Sequence, residues 1–438
     1  MTLATPLVGA WILASEDDPA GTTYQDPTSS YQSLKVNGVY KSVDMLNICF
    51  VDTIYDPASN GFTLKLVPAV HQPGNIPNDQ YMQWIIADAR AANPAIKVLV
   101  TMGYAGDEIT KMYAAPYNGS QTVIDQFAQN VVAYLTKWGL DGLDVDWEPD
   151  FCWDTSQTQF AQVFTAIGKA FAGTGLLLTM CPSQTGNLDA PTTNAYFDMV
   201  TLQVYGGASK SSFIQAGVQA SLLAYGAKFE SEGPGMPAPD QTPEQAYDGY
   251  TQGSYDKLLQ WRLNSGNFQA EQAYQMILYQ MIKGTGPTFD DSAIVATAGN
   301  PPITAMTVRH GDVLDAIQAT NTGSFESTPI AYDLLQHGGN GGQASNVTIP
   351  AGDSIASISG YTGIWFGWQV VLQLTITTHG GQSHGPFGTM ANATSQTPFT
   401  LSAPAGQSIV AFSGTVQTVP RASGGPSEVV TSLAVTCA

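Results

Sequence analysis

A chain of 438 residues is longer than one ordinary domain, and a hydrophobic fraction of 43% can build real cores, so we expect two domains. Charged residues make up only 11% of the chain, the formal net charge is -20, and Lys and Arg form no cluster. This balance argues against nucleic acid and anionic membranes as partners, because both are bound through clustered positive charge. A neutral polymer such as a polysaccharide suits the surface better.

Eight short apolar or β-branched runs precede residue 285. They lie at residues 6–13, 45–51, 96–103, 140–148, 175–182, 198–205, 222–229 and 273–282. Several are almost continuously apolar, as strands covered on both faces are. Between the runs, apolar residues recur at helical spacing, although no eighth helix is visible after the last run. Eight strand–helix units in about 285 residues match the size of a TIM barrel, so we predict an α/β domain with a (β/α)8 barrel at residues 1–284.

A second domain follows a link that contains Gly and Pro at residues 283–291. Beyond the link the chain consists of alternating runs and turns. In residues 368–378, for example, Val370, Leu372, Leu374 and Ile376 face one way, and Val371, Gln373 and Thr375 face the other. Glycine pairs separate the runs at residues 338–339, 341–342, 380–381 and 424–425. This pattern is typical of antiparallel strands joined by turns, so we predict an all-β domain at residues 285–438.

Four cysteines and five histidines give little reason to expect a disulfide scaffold or a metal site. Cys152 and Cys181 would each follow a strand on one side of the barrel, so both a bridge between them and a pair of buried free thiols are open. The histidines form no HxxxH motif and no cluster with cysteine, so neither a metal nor another cofactor is predicted.

The most informative segment is Asp-Gly-Leu-Asp-Val-Asp-Trp-Glu at residues 141–148. On a strand, alternate side chains leave the same face, so Asp144, Asp146 and Glu148 share one side. Three adjacent carboxyl groups repel one another, and at least one is expected to hold its proton near neutral pH. Catalytic groups of TIM barrels lie at the carboxyl ends of the strands, where this segment ends. The pattern therefore favours acid catalysis of glycoside hydrolysis over the alternative, an acidic strand that is only a solvated edge.

Residues 141–148 resemble the DxxDxDxE signature of glycoside hydrolase family 18, which comprises chitinases and endo-β-N-acetylglucosaminidases. The four acids of the signature fall on Asp141, Asp144, Asp146 and Glu148. The resemblance implies that Glu148 protonates the glycosidic oxygen while the substrate's own 2-acetamido carbonyl attacks the anomeric carbon, with retention of configuration. It implies that Asp146 orients the acetamide N–H and stabilises the developing charge, and that Asp144 shares a proton or hydrogen bond with Asp146. Asp141, the first acid, is counted with the substrate-binding residues, although fixing the start of the strand is its simpler role.

Two other predicted strands supply contacts to the sugar. Residues 202–205 resemble the sixth strand of the family, in which a Tyr hydroxyl bonds the acetamide carbonyl. The matching residue in this chain is Tyr205. Gln203 and Tyr205 alternate along that strand, so both are expected to face inward, with ordinary barrel packing as the alternative. Residues 101–104 stand where the family often shows SxGG, and Tyr104 in place of the second glycine would narrow the pocket.

The aromatic floor beneath the sugar is less clear in the sequence. The family commonly places a Trp on strand eight, and the predicted strand at residues 273–282 has none. Tyr279 or Tyr274 could replace it, or both could be core residues. Other stacking candidates are Trp11, Trp147 and Trp153, of which Trp153 is best placed for exposure.

Residues 303–320, 337–342 and 384–388 resemble the jacalin-related lectins. That resemblance implies a β-prism of three sheets, which binds mono- or oligosaccharides through a glycine-rich loop and a late GxxxD loop. In this chain Thr431 stands where the Asp of that loop would fall. Gly424, Gly425 and Glu428 are therefore a candidate for a modified lectin site, with a purely structural module as the alternative. His337 and His384 are expected to be turn residues.

The leading hypothesis is a chitinase, a retaining endo-hydrolase of β-1,4-linked N-acetylglucosamine polymers. The alternative with the same chemistry is an endo-β-N-acetylglucosaminidase that acts on N-glycan cores. The alternative of another class is a catalytically silent glycan-binding protein or toxin component. The expected partners are chitin, chito-oligosaccharide or an N-glycan, with a second glycan on the C-terminal domain. We expect a secreted or extracellular protein, although residues 1–18 lack the features of a signal peptide and no segment reaches the length of a membrane span.

Overall fold

The computed structural model describes residues 3–14, 21–67, 70–71, 74–103, 107–233, 236–420 and 425–438. The chain divides into two units, one of residues 1–233 and 239–271, and one of residues 234–238 and 272–438. The predicted domain boundary between residues 284 and 285 stays a prediction.

Within the described part of the first unit, eight parallel strands close into a barrel, which confirms the predicted TIM-barrel fold. In chain order they are β1 (Leu7–Leu13), β2 (Met45–Asp56), β3 (Lys97–Gly103), β4 (Gly142–Trp147), β5 (Leu177–Pro182), β6 (Met199–Leu202), β7 (Leu223–Lys228) and β8 (Lys257–Trp261). Each strand pairs with the next, and β1 pairs with both β8 and β2, which closes the ring. The far end of β2 forms an antiparallel hairpin with the strand Gly61–Leu66.

Helices alternate with the barrel strands. They are α1 (Ser30–Val36), α2 (Asn78–Ala92), α3 (Gln121–Trp138), α4 (Pro149–Asp154), α5 (Gln157–Phe171), α6 (Ala190–Tyr196), α7 (Lys210–Gln215), α8 (Pro243–Gln252) and α9 (Phe268–Lys283). The sequence shows why they form where they do. The apolar residues of α3 recur at helical spacing and are buried, and the helix ends at Gly139, which adopts the left-handed conformation at φ 65°. Helix α5 begins at a capping box between Ser156 and Gln159.

The prediction of a strand at residues 273–282 is wrong, because this run lies inside α9. A short apolar run does not by itself distinguish a buried strand from a buried helix. Residues 271–278 are buried without a break, so this part of the helix has no exposed face whose period could have distinguished it from a strand. Helix α9 is therefore the eighth helix that the sequence did not reveal, and the eighth strand is the shorter segment Lys257–Trp261.

Inward-facing side chains fill the barrel below its carboxyl end. The buried cluster consists of Leu7, Trp11, Leu13, Met45, Cys49, Leu99, Leu177, Cys181, Met199, Ala224 and Leu259. Every barrel strand except β4 contributes to this cluster, and the acidic residues of β4 contact two of its members, Trp11 and Cys181. The acidic residues therefore take the place in the barrel interior that apolar residues take on the other seven strands.

A buried glutamate at the start of α9 makes the stability of the barrel unit depend on pH. Glu271 is fully buried, and its carboxylate accepts hydrogen bonds from the backbone N–H of Ser265, at 3.0 Å, and from the hydroxyl of Ser265. Burial raises the pKa of Glu271 from 4.5 to about 7. Between these two pH values the folded protein holds a proton that the unfolded chain has released.

The stability that this proton contributes should be complete below about pH 4.5 and should be lost as the pH rises through about 7. Glu271→Gln keeps a neutral side chain at every pH, so the fall in the free energy of unfolding between about pH 5 and pH 8 should shrink by up to about 3 kcal/mol. Denaturant unfolding followed by tryptophan fluorescence measures this fall. The control is Glu244→Gln, at a partly exposed position in the first turn of α8. Equal pH dependence in the two variants would contradict the prediction.

The second unit is built of antiparallel strands, apart from the part of α9 that it includes and the short helix α10 (Ser292–Thr297), and this confirms the predicted all-β fold. Its larger sheet contains Thr288–Asp290, Ile355–Trp365, Trp368–Thr378, Ser383–Phe387, Ala393–Ser402, Ile409–Val419 and Ser427–Cys437. Its smaller sheet contains Ile303–His310, Leu314–Phe325, Thr328–Asp333, His337–Gly338 and Gln343–Thr348. A buried cluster fills this unit and consists of Val313, Trp365, Val370, Leu372, Val419 and Val429.

His337 is a buried core residue, so its prediction as a simple turn residue is wrong. Its Nε2 lies 3.0 and 3.1 Å from the two carboxylate oxygens of Asp291. Its ring stacks on Phe289 with the centroids 4.0 Å apart. His384 lies in the strand Ser383–Phe387 rather than in a turn.

Candidate active site

Strand β4 brings the acidic residues to the carboxyl end of the barrel, between β3 and β5. In the strand register, Asp144 lies opposite Thr101 of β3, and Asp146 lies opposite both Gly103 of β3 and Cys181 of β5. A Cβ atom on Gly103 would lie 2.7 Å from the backbone oxygen of Asp146, and Gly103 has a φ of +129°. A larger residue at position 103 would therefore displace the strand that carries Asp146.

Asp144 is buried and accepts three hydrogen bonds from three other strands. The donors are Nε1 of Trp11 at 3.0 Å, Oγ1 of Thr101 at 3.1 Å and Oγ1 of Thr179 at 2.6 Å. Burial raises the pKa of Asp144, and the three donors act in the opposite direction. Among the described residues, Asp144 is thus bonded to these neighbours instead of to Asp146, which differs from the direct bond that the family resemblance implies.

Asp146 is also buried, and it points toward β5 and β6. Its Oδ1 accepts hydrogen bonds from Sγ of Cys181 at 3.3 Å and from Nε2 of Gln203 at 3.2 Å. Burial, and after it the charge of Glu148, raise the pKa of Asp146 well above its ordinary value. The direction agrees with the expectation that one acid of the trio holds a proton.

Glu148 follows β4 directly and is partly exposed, unlike the two aspartates. Its Oε1 accepts a hydrogen bond from Nε2 of Gln203 at 2.8 Å. The same amide nitrogen lies 3.2 Å from the backbone oxygen of Cys181. Gln203 therefore joins Asp146 and Glu148 through one group. The proline at position 149 begins α4, which turns the chain away immediately after Glu148.

Gln203 and Tyr205 face the acids, but for a different reason from the predicted alternation. Strand β6 ends at Leu202, and residues Val204–Gly206 form a turn of 3-10 helix. This turn brings the phenol of Tyr205 close to the acids. Burial and then the neighbouring Cys181, Asp146 and Glu148 raise the pKa of Tyr205 well above its ordinary value.

Asp141 lies at the opposite end of β4, so its assignment to the substrate-binding residues needs correction. Its carboxylate is 2.9 Å from Nη2 of Arg90 and 3.3 Å from Nζ of Lys97. It also accepts a hydrogen bond from the backbone N–H of Val98 at 3.0 Å. These contacts join the amino ends of β3 and β4, while the other three acids lie toward the carboxyl end.

Strand β8 does carry a tryptophan, which the sequence reasoning missed. Trp261 is the last residue of β8 and is partly buried beside Trp11 and Phe50, with ring centroids 6.2 and 6.3 Å away. Its Nε1 donates a hydrogen bond to Glu230 at 2.9 Å. The short apolar segment Lys257–Trp261 follows β7 at the distance expected of the next strand. The longer apolar run in α9 was predicted as the eighth strand instead. Tyr279 and Tyr274 lie on α9, so their prediction as strand residues that replace this tryptophan is wrong.

The other aromatic residues predicted to stack on sugar differ in their burial and contacts. Trp11 is buried in the barrel and bonds Asp144. Trp147 is fully buried, and its ring lies 5.0 Å from those of Phe151 and Phe160, so it is a core residue. Trp153 on α4 is 64% exposed, as expected for a surface residue. Tyr104 lies outside the described residues.

All four cysteines are free, including the buried residues Cys152 and Cys181, which settles the question left open by the sequence. In the described ranges no group of three or more His, Cys, Asp and Glu could hold a metal ion. The helices within those ranges are too short or too polar for any of them to cross a membrane.

The candidate lectin site lies partly within the described residues, since Gly424 is outside them. Gly425 is exposed with a φ of +77°, and Glu428 is an exposed residue of the strand Ser427–Cys437. Glu428 lies beside the glycine-rich loop, because a Cβ atom on Gly339 would be 2.8 Å from its backbone oxygen. Thr431 donates its hydroxyl to the backbone oxygen of Thr415 at 3.0 Å, within the strand pair.

Comparison with known proteins gives two family matches. Residues 22–236 match the family model described as glycosyl hydrolases family 18, and residues 281–421 match that of the jacalin-like lectin domain. A relative named probable chitinase 10, from Drosophila melanogaster, is 28% identical over 127 residues, which cover 25% of this chain. The match spans 5% of that relative's length.

Similar solved structures fall into the same two groups. The GH18 chitinase ChiB of Flavobacterium johnsoniae is 15% identical and covers 63% of this chain and 94% of its own, with a TM-score of 0.45. A mannose-specific jacalin-related lectin from Morus nigra in complex with mannose is 25% identical and covers 35% of this chain and 87% of its own, with a TM-score of 0.26. By the two family models, residues 22–236 form a glycosyl hydrolase family 18 domain, and residues 281–421 form a jacalin-like lectin domain.

Proposed function

We propose that this protein is a chitinase, a retaining endo-hydrolase of β-1,4-linked N-acetylglucosamine polymers. The observation that carries the proposal is the amide of Gln203, which bonds both Asp146 and Glu148 at the carboxyl end of the barrel. This bond holds a partly exposed carboxyl group next to a buried one, with the phenol of Tyr205 nearby. Such a site can donate a proton to a leaving group and bind the acetamide of the sugar that is left behind.

In the first step Glu148 gives its proton to the glycosidic oxygen as the bond from that oxygen to the anomeric carbon breaks. The carbonyl oxygen of the substrate's 2-acetamido group forms the new bond to the anomeric carbon. Asp146 accepts the hydrogen bond of the acetamide N–H and stabilises the positive charge of the resulting oxazolinium ion, and Tyr205 donates to its oxygen. Water then attacks the anomeric carbon and gives a proton to Glu148, while the bond from that carbon to the acetamide oxygen breaks and restores the 2-acetamido group. Two displacements at one carbon leave its configuration unchanged.

The other residues act on these groups or on the sugar ring. Asp144, with its three donors, fixes the end of β4 from which Asp146 projects. Trp261 lies beside Trp11 and Phe50 at the end of β8 and is the proposed floor on which the sugar ring stacks. Exposed Trp153 is a proposed contact for a more distant sugar of the chain.

Two features bear on the choice of substrate. The tryptophan on β8 removes one reason for preferring an N-glycan core, because Trp261 is a candidate for the aromatic floor that no residue of the predicted strand supplied. The relative matched over 127 residues is named a probable chitinase. The jacalin-like domain supports the alternative, an endo-β-N-acetylglucosaminidase, because it would bring a second glycan to the protein through the loop near Gly425 and Glu428. Both polymers are extracellular materials, so we expect the protein to act outside the cell.

The test compares three kinds of substrate. We expect cleavage of chito-oligosaccharides with β-anomers as the first products, seen by NMR at early times, and no cleavage of the deacetylated oligosaccharides, which lack the internal nucleophile. Release of glycans from a high-mannose glycoprotein, without cleavage of chito-oligosaccharides, would favour the alternative enzyme. Binding of these glycans with no turnover of any of them would contradict both and leave a glycan-binding protein.

A further inference from the structure

A cysteine lies against the acid that the proposed reaction places beneath the acetamide. Cys181 is the β5 neighbour of Asp146 in the strand register, and its side chain is 5% exposed. Its Sγ lies 3.3 Å from Oδ1 of Asp146, a normal distance for a thiol that donates a hydrogen bond to a carboxylate. Asp144 and Glu148 have no such contact with it among the described residues.

The direction of this hydrogen bond follows from the surroundings of the sulfur. Burial raises the pKa of Cys181 well above 9, and the neighbouring Asp146 and Asp144 raise it further. The sulfur therefore keeps its proton and is a donor at neutral pH. A donor at Oδ1 favours the ionised form of Asp146, in opposition to burial and to Glu148, which favour the protonated form.

The amide and hydroxyl donors that the neighbouring strands direct toward the acids are shared or bonded to Asp144, and the nearby phenol of Tyr205 forms no hydrogen bond to Asp146 in the described part of the chain. The amide nitrogen of Gln203 is divided among Asp146, Glu148 and the backbone oxygen of Cys181. The indole of Trp11 and the hydroxyls of Thr101 and Thr179 are bonded to Asp144. The single proton of the Cys181 thiol thus serves Asp146 alone among the three acids.

We propose that Cys181 is a positioning residue that stabilises the ionised form of Asp146 and keeps its carboxylate turned toward Gln203 and Glu148. Its effect on the rate rests on the proposed function, because an ionised Asp146 is the form that stabilises the oxazolinium ion. Its effect on Asp146 itself does not depend on any activity. The thiol forms no covalent bond in this role and undergoes no redox change.

The first experiment measures the titration of Asp146 directly. Cys181→Ala and Cys181→Ser have side chains of nearly equal volume that differ by one hydroxyl donor. In protein labelled with ¹³C at the aspartate carboxyl groups, and with the Asp146 signal assigned from Asp146→Asn, we expect the midpoint to be higher in the Ala variant than in the Ser variant by roughly half a pH unit to one unit. Cys152→Ala, which removes another buried sulfur, should match the unaltered protein. Equal midpoints in the Ala and Ser variants would overturn the proposal.

If the Ala variant does not fold, Cys181→Val takes its place as the variant without a donor.

The second experiment measures the rate. On chito-oligosaccharides, Cys181→Ala should lower kcat roughly three- to tenfold with a smaller change in KM, because the charge on the substrate develops only after binding. The acidic limb of the pH profile should move upward with the midpoint of Asp146, and Cys181→Ser should restore both. If the unaltered protein cleaves no substrate, the proposed function fails while the titration still decides the role of Cys181. If the unaltered protein is active and the Ala and Ser variants share one pH profile, the role of Cys181 fails alone.

Discussion

Replacing Glu148 with Gln should lower kcat on chito-oligosaccharides by roughly 10²- to 10⁴-fold, the usual contribution of a general acid–base group. A glutamine side chain has nearly the same shape but carries no transferable proton, so the glycosidic oxygen leaves without protonation. Oligosaccharide binding should persist, since Glu148 is one residue of the proposed site, which also includes Asp146, Tyr205 and Trp261. Steady-state kinetics and calorimetric binding to the same oligosaccharide measure the two quantities separately.

The matched control is Asp150→Asn, which makes the same chemical change two residues further along the chain. Asp150 is an exposed residue in the first turn of α4. Its replacement should leave kcat within about twofold, because exposed charges contribute little. An active Glu148→Gln enzyme would contradict the assignment of the proton donor, and an equal loss in both variants would point to general damage to the region around α4.

Replacing Asp144 with Ala should destabilise the barrel by about 2–4 kcal/mol. The substitution leaves the indole N–H of Trp11 and the hydroxyls of Thr101 and Thr179 without their acceptor in a region closed to water. The hydroxyls can rotate to other acceptors, but the indole N–H has no such freedom. Denaturant unfolding followed by tryptophan fluorescence measures the loss, since six of the eight tryptophans lie before residue 272.

Asp144→Asn separates the loss of an acceptor from the loss of a charge. The amide oxygen still accepts from the indole, and the variant carries no charge at this buried position, where burial raises the pKa of the Asp144 carboxyl group. We expect this variant to stay within about 1 kcal/mol of the unaltered protein. An Ala variant as stable as the Asn variant would show that the three hydrogen bonds do not stabilise the fold.

Local pattern was enough to predict most of the barrel and the position of the acids. Seven of the predicted strands overlap β1 to β7, because each is a short apolar run bounded by turns or helical periodicity. The alternation in residues 144–148 placed three carboxyl groups on one side of β4, and the structure shows them there together with the amide of Gln203. These inferences needed only neighbours in sequence and the period of a strand.

Strand eight shows where local pattern failed. The run at residues 273–282 is more apolar than Lys257–Trp261, yet the first is a helix and the second closes the barrel between β7 and β1. The hydrophobicity of a short segment does not indicate which strands it can pair with, and β8 is a strand because it pairs with both β7 and β1. Because Lys257–Trp261 was not predicted as a strand, Trp261 was not predicted as the tryptophan of strand eight.

The sequence by itself determined the two folds and the acidic signature, because periodicity and a run of four acids can be read without knowing what lies beside them. The tertiary structure alone decided what each acid contacts. It placed Asp141 with Arg90 and Lys97 at the amino end of the barrel and gave Asp144 three donors from three other strands. It also set the thiol of Cys181 against Asp146. These partners lie between 35 and 133 positions away along the chain from the two buried aspartates, so only the closure of the barrel brings them together.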